Sequence, residues 1–499
     1  MKKKKIIIVG AGPGGLACGM ILASKGFDVH IYEKEDKVGG RNGYIQAGDY
    51  KFDIGPTFFL MKDVLEKIFN LCGRDLHKYT KLVDLDPMYK LVFKDKVFHP
   101  STNEEKMIEE LNRVFPGNAE NYKRYMAKEK VKYEKLIPCL EIPYGKYTDY
   151  LSMNLVKAAP YLDATKSIYE VLGKYFDDEI LKLCFTFQAK YIGMSPWKAP
   201  GLFSMISYIE HGGGVYHVMG GLNQLSLSMA KVLEEFGGKI YLNKTVKEVL
   251  TKDGKATGIK LENGEIINAD DTVLNADFAY AMKNLIPEDK RKKYKDKKLE
   301  SMKYSCSTFM LYLGLDKVYT NINHHNIFFS HDYKKNVDEI TENQVVSDDP
   351  SFYIHNPSRI DKSLAPEGKS AVYVLVPIGN KSKGISWEER KAKYKEKIID
   401  LLESKAGMEN IREHIEEIRV ITPDDWQNNM NIFQGATFNL AHNMGQMLYK
   451  RPHNEFEEFK NCYLVGGGTH PGSGLPTIYE SGRISAKLIM DKYGVKFDS

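Results

Sequence analysis

The sequence predicts an α/β fold in which a Rossmann-like dinucleotide-binding domain is assembled from discontinuous segments. These interleave with an α+β domain that has a mixed sheet and a helical part. Three observations predict this. Within residues 3–33 the chain runs through an apolar stretch, a glycine-rich turn, a helical stretch, a second apolar stretch and an acid. It closes with another apolar stretch that enters glycines, Cys462 to Pro476. Between the two lie blocks of strand pattern and a long, mostly helical region. If both glycine-rich ends hold one ligand, the remaining elements must be insertions into the binding domain.

The N-terminal unit is the strongest local signal. Lys5-Ile6-Ile7-Ile8-Val9 is the kind of apolar run that is buried in a parallel sheet. Gly10-Ala11-Gly12-Pro13-Gly14-Gly15 follows, with glycines at the three GxGxxG positions. Gly10 permits the tight turn, Gly12 lets a pyrophosphate approach the backbone, and Gly15 lets helix and strand pack closely. The helix keeps Gly19 and Ala23 small and ends near Gly26. A second strand, Val29–Tyr32, delivers Glu33, whose carboxylate is placed for ribose hydroxyls while phosphates sit at the helix N-terminus. Although MKKKK followed by an apolar run mimics a secretory signal, the run is too short and glycines follow at once.

Composition narrows the class. The 499 residues are 42% hydrophobic and 27% charged, which suits a large folded core and excludes disordered, collagenous and coiled-coil chains. Lys+Arg 71 against Asp+Glu 66 leaves +5, too little to argue for nucleic acid. Six dispersed cysteines form no CxxC or Cys/His pattern, so no metal site is expected. No run approaches the ~20 apolar residues of a membrane span.

The middle of the chain reads as follows. Residues 61–210 look mostly helical, with Tyr122, Tyr125, Met126 and Tyr133 as a core-facing stripe of a lysine-rich helix. The aromatic stretch Tyr191 to Ile209 suits either a cavity wall or a core. A helix opened by Gly220-Gly221 runs to Gly237-Gly238, then strands turn at Asp253-Gly254 and Asn263-Gly264, and a buried strand ends at Asn275-Ala276. Lys290 to Lys298 reads as a solvated basic helix face, with contact to anionic lipid headgroups as the alternative. Phe309–Gly314 and Ala371–Val376 are strands of a second sheet, and Ser386-Trp387-Glu388-Glu389 reads as a capping box for a helix ending at Gly407. At the C-terminal end a helix starts near Pro476, and its free amides and dipole suit negative charge on a bound ligand.

Several motifs carry a resemblance. Gly39-Gly40-Arg41 soon after Glu33 is similar to the turn along the FAD pyrophosphate in glutathione-reductase-like flavoproteins. With Asp53-Ile54-Gly55-Pro56-Thr57, Tyr304-Ser305-Cys306-Ser307, His324-His325-Asn326, Asp361 to Gly368, Thr422 to Trp426, Arg451 to Asn454 and the G-x-x-H-P-G-x-G-x-P run from Gly467 to Pro476, nearly the whole chain resembles the CrtI-type carotenoid desaturases, with a bias to the C30 pathway. The resemblance implies FAD in a GR2-type domain made of 1–90, 215–300 and 425–499, with 91–214 and 301–424 forming a substrate-binding, membrane-facing part. It implies FAD contacts from Gly10, Gly12, Pro13, Gly14, Gly15, Glu33, Lys34, Gly40, Arg41, Gly55, Pro56, Thr57, Val246, Asn275, Ala276, Gly467, Gly468, Leu475, Pro476, Thr477 and Ile478.

It further implies removal of hydrogen from a long apolar isoprenoid such as diapophytoene or phytoene. The protein would be cytoplasmic and peripheral on the cell membrane, pass electrons to oxygen or a quinone, and need no nucleic acid; self-association stays open. Flavin N5 would accept hydride, and Glu210, His211, His470 and Glu480 are the candidates for the proton. Glu480 and Arg483 depart from the smaller residues expected beneath the flavin. Isomerase, saturase and terminal-oxidase relatives share this frame, and a non-catalytic prenyl-lipid carrier like the GDP-dissociation inhibitors is the alternative from another class.

Overall fold

The computed structural model describes residues 3–497. Lys5–Val9 is a strand buried from its second residue onward. It pairs in parallel with Asp28–Tyr32 on one side and Asp271–Leu274 on the other. Cys462–Leu464 and Lys239–Tyr241 complete a five-stranded parallel sheet. Three distant stretches of sequence thus share one sheet.

Helix Pro13–Ser24 starts directly after Gly12, with proline in its first turn. It is buried almost end to end, because helices Asn223–Glu235 and Leu475–Lys492 both pack on it. Glycines permit that approach. A Cβ on Gly482 would lie 2.5 Å from the Gly14 carbonyl oxygen, and one on Gly19 would lie 2.6 Å from Leu233 Cδ1.

The second sheet has seven strands, in the order Ile415–Ile421, Ser307–Leu315, Ser370–Ile378, Phe352–His355, His325–Phe328, Lys90–Val92 and Val97–Phe98. Ser307–Leu315 and Ser370–Ile378 pair antiparallel, with Phe309 opposite Val376. All nine residues of the former are buried, as expected of a strand covered on both faces. Region 61–210 is less purely helical than its pattern suggests. It contains strands Leu82–Asp84, Lys90–Val92 and Val97–Phe98, and Lys90–Val92 joins the second sheet, straddling the expected boundary at 90/91.

Helix Ala119–Leu140 buries Tyr122 and Tyr125, so the aromatic stripe faces the core. It also buries an ion pair that the stripe gave no hint of. Lys132 Nζ lies 3.0 Å from Glu129 and 3.0 Å from Asp163, and donates to Ser204 Oγ at 2.7 Å. Two local expectations hold only in part. The helix expected after Ser386 starts only at Lys391, with Arg390 rather than Ser386 at its N-cap, and the Trp387 amide donates to Asp424 at 2.9 Å. The basic run is a helix face only in part. Lys297 and Lys298 stand exposed on helix Asp296–Ser301, but Arg291 is buried on Asp296, and the exposed Lys293 pairs with Glu457 at 2.7 Å. Among the described residues no helix is long and apolar enough to cross a membrane.

Candidate active site

A cavity of about 690 Å³ joins the ends of the parallel strands to the face of the second sheet. At one end stand Gly10, Gly12 and Pro13 after the first strand, and Glu33 and Lys34 after the second. Gly40, Arg41, Gly55, Pro56 and Thr57 border it, as do Val246, Asn275 and Ala276. Gly467, Leu475, Pro476 and Ile478 come from the C-terminal segment. Four expected contacts do not reach this cavity. Gly14 and Gly15 face Asn275, where a Cβ on Gly15 would lie 2.7 Å from Nδ2. Gly468 abuts Phe278, and Thr477 Oγ1 bonds the Gly472 and Gly474 carbonyls.

These residues fit FAD. Glu33 is buried and accepts from the Ala11 amide at 2.7 Å and the Glu35 amide at 3.0 Å, which uses two of about four lone-pair positions. Burial pushes its carboxyl up, while both amides pull it down. Gly39 and Gly40 hold φ of +114° and +53°. This turn carries Gly40 over the first helix, so that a Cβ there would lie 3.7 Å from Gly12 Cα. Two helix N-termini, at Pro13 and Leu475, edge the same space and offer free amides to a diphosphate and an anionic ring carbonyl. Thr437 Oγ1, on the cavity wall, is buried with no partner.

Residues missed by the sequence reading hold this cradle. Arg41 donates to the Thr437 carbonyl. Asn439 bridges it to buried Asp277, with its amide oriented by the network: the oxygen accepts from Arg41 at 3.0 Å and the nitrogen donates to Asp277 at 2.8 Å. Burial raises the Asp277 carboxyl, and the Arg41 charge counters it. Asp277 directly follows Asn275-Ala276, so its position was a usable signal. His442 Nε2 accepts from the Ser473 amide at 3.0 Å and fixes the C-terminal glycine loop.

None of the four proton candidates, Glu210, His211, His470 and Glu480, borders the cavity. Glu210 accepts from Tyr89 and Gln188, both at 2.9 Å, in a fully buried pocket. Burial pushes its carboxyl up to about 7 against the pull of those donors. His211, beside it, is wedged against Tyr122 and Phe185, and burial lowers it to about 3. His470 packs edge-on against Tyr144 at 5.0 Å and is likewise lowered to about 3. Glu480 is locked to Arg483, whose Nε lies 2.8 and 2.9 Å from the two carboxylate oxygens. Adjacency to glycines in sequence did not say which way these side chains point.

Glu210 yields a pH prediction. Its folded pKa lies above that of a free glutamate, so it stabilises fully below pH ~4.3 and the contribution is lost as pH rises through about 7. Glu210→Gln keeps an acceptor for Tyr89 and Gln188 without the charge. At pH 8 it should be more stable than the parent by up to roughly 3 kcal/mol, with no gain at pH 4. Urea melts at both pH values are the check.

The rest of the cavity is apolar. Phe58, Phe187, Tyr191, Phe329, Tyr353 and Leu375 form its walls. The Tyr353 hydroxyl bonds Thr57 at 2.7 Å and His325 Nδ1 at 2.6 Å. Lys190 also lines it; its Nζ is shielded from solvent and has no hydrogen-bond partner, and burial pulls it down to about 8.

The model of the flavin-containing amine oxidoreductases matches residues 13–490. A 4,4'-diapophytoene desaturase (4,4'-diapolycopene-forming) of Methylomonas sp is 48% identical over 494 residues, 99% of this chain and 96% of that one. The chain belongs to the carotenoid desaturase family of flavin-containing amine oxidoreductases. A second family member, the 4,4'-diapophytoene desaturase (4,4'-diaponeurosporene-forming) of Staphylococcus aureus (strain Newman), is 33% identical and covers 98% of this chain and 99% of its own. An oxidoreductase structure from Methanosarcina mazei shares the fold, with TM-score 0.63 at 16% identity over 98% of this chain and all of that one. This family member is an FAD-dependent oxidoreductase.

Proposed function

We propose that this chain introduces double bonds into a long apolar isoprenoid of the diapophytoene or phytoene class. The observation that carries this reading is the continuity of one cavity from the FAD cradle to walls of aromatic and aliphatic side chains. FAD supplies the hydride acceptor. The protein's part is to hold a flat, greasy chain within ~3–3.5 Å of that acceptor and to keep water away. Apolar walls do both, since they gain by covering hydrocarbon and offer water no partners.

Desaturation also releases a proton. Lys190 Nζ suits it, being an unpartnered amine on the wall held near 8 by burial. The free base is the active form, so turnover rises with pH through about 8 and then levels. Lys190→Met should cut turnover at least ~10-fold, remove that inflection and leave FAD in place. An unchanged profile in the variant would exclude the amine as acceptor.

Production in a pigment-free host that makes diapophytoene or phytoene, followed by lipid chromatography, tests the function. Products with more conjugated double bonds support it. Oxygenated or isomerised products with an unchanged bond count overturn it. Oxygen uptake against quinone reduction, in the same assay, separates the two electron acceptors.

A membrane surface is the source of such a substrate, and one patch suits contact with it. Tyr147, Leu151, Met153 and Val156 are exposed apolar residues on two successive short helices, with Leu151 78% exposed. Co-sedimentation with lipid vesicles should fall several-fold in a Leu151→Asp, Met153→Asp double variant. Equal binding would remove this patch from the reading.

A further inference from the structure

Behind the cavity wall lies a cluster of histidines that neither FAD nor the isoprenoid uses. His217 sits in strand Tyr216–Val218, His324 just precedes strand His325–Phe328, and His355 ends strand Phe352–His355. All three are buried. The ring centroids of His324 lie 4.8 Å from those of both His217 and His355. One ring nitrogen from each residue falls within 4.8 Å of the others. Both nitrogens of His324, and Nε2 of His355, have no hydrogen-bond partner.

That deficit is costly. A buried polar atom left unpaired destabilises the fold, and native structures resolve such groups with water or an ion. A second observation points to which. Asp361 accepts from His217 Nε2 at 3.1 Å and is itself pinned by the Gly220 amide at 2.5 Å and the Ser363 amide at 3.0 Å. A carboxylate orienting an imidazole through one nitrogen leaves the other nitrogen with its lone pair free, and this is how ligating histidines are held in metal sites. His325, stacked on His355 at 5.0 Å, has its Nδ1 engaged by Tyr353.

We infer that His217, His324 and His355 form a binding site for a divalent transition-metal ion of the zinc class. Three neutral imidazoles with no thiolate select zinc and its neighbours over magnesium or calcium, which take oxygen. A tetrahedral zinc with bonds of about 2.0–2.1 Å sets ligand nitrogens about 3.4 Å apart, so small side-chain rotations close the site. Its role is a clasp. His217 belongs to the small sheet paired with Leu82–Asp84, whereas His355 ends one strand of the seven-stranded sheet and His324 directly precedes another, so the ion joins the two.

The flavin-loaded protein, saturated with zinc sulfate and dialysed against metal-free buffer, should retain about one zinc per chain by mass spectrometry. X-ray absorption at the zinc edge should report nitrogen neighbours at about 2.0–2.1 Å. His324→Gln and His355→Gln should each lower zinc content at least tenfold while keeping flavin absorbance. Asp361→Asn should weaken zinc affinity about 10–100-fold. Sub-stoichiometric metal in the parent, or full zinc in both histidine variants, overturns the site. Should the variants lose flavin and fold, the parent's absorption spectrum decides, and a first shell without three nitrogens refutes the assignment.

Discussion

Gly12→Val should give a folded but colourless protein. A Cβ at Gly12 would stand 3.0 Å from Asn275 Nδ2, the atom that donates to the Gly10 carbonyl at 3.0 Å. The remaining methyl groups then enter the space between this turn and Gly40, where the proposed cradle would hold the FAD diphosphate. Few packing contacts of the core are touched, because Gly12 precedes the helix and edges the cavity. FAD affinity should fall at least ~100-fold, about 3 kcal/mol. Visible absorbance and an FAD titration measure the loss, and far-ultraviolet circular dichroism reports the fold. A yellow variant with parental affinity would refute the placement of the diphosphate.

Arg451→Met should have the largest effect on stability. Arg451 has no solvent exposure and donates to four backbone carbonyls: Gly467 at 2.6 Å, Thr469 at 3.0 Å, and Leu440 and Gln446 at 3.1 Å. Methionine replaces its bulk but none of its donors. Each carbonyl stranded without a partner costs about 1–3 kcal/mol, so a loss of at least ~4 kcal/mol is expected, which is exceptional for a single change. Since Gly467 borders the cradle, FAD retention should drop too. Arg451→Lys can reach only part of the fork and should fall between the two. Denaturant melts order the three proteins, and a methionine variant within ~1 kcal/mol of the parent contradicts the account.

What could be read in advance was local. The strand Lys5–Val9 emerges at its expected residues because four apolar side chains and a glycine turn leave few alternatives. The turns at Asp253-Gly254 and Asn263-Gly264 likewise carry their own backbone preference, with positive φ at Asp253, Gly254 and Gly264. What escaped was tertiary. Lys90–Val92 is too short to announce itself and is a strand because His325–Phe328 and Val97–Phe98 flank it. Ser386 does not cap the helix that begins at Lys391, and the Trp387 amide next to it finds Asp424, 37 residues away in sequence and adjacent in space. Glu210 and His470 were credible acids or bases until side-chain direction, which no spacing encodes, turned them into sealed pockets. Lys190 lay within a helical-looking stretch and gave no pattern of its own; its interest comes wholly from the apolar wall around it.

The parallel sheet also sets a schedule for biosynthesis. Its first strand lies between Asp28–Tyr32 and Asp271–Leu274, but Cys462–Leu464 and the amides at Leu475 are made last. At ~5–20 residues per second, a ribosome takes roughly 10–40 s to travel from Leu274 to Cys462. Throughout that interval the nascent protein carries an exposed strand edge and half a cradle. Cofactor capture is therefore close to the final event of maturation. Chains released before Gly467 should never become flavoproteins, and they present the quality-control machinery with an open sheet.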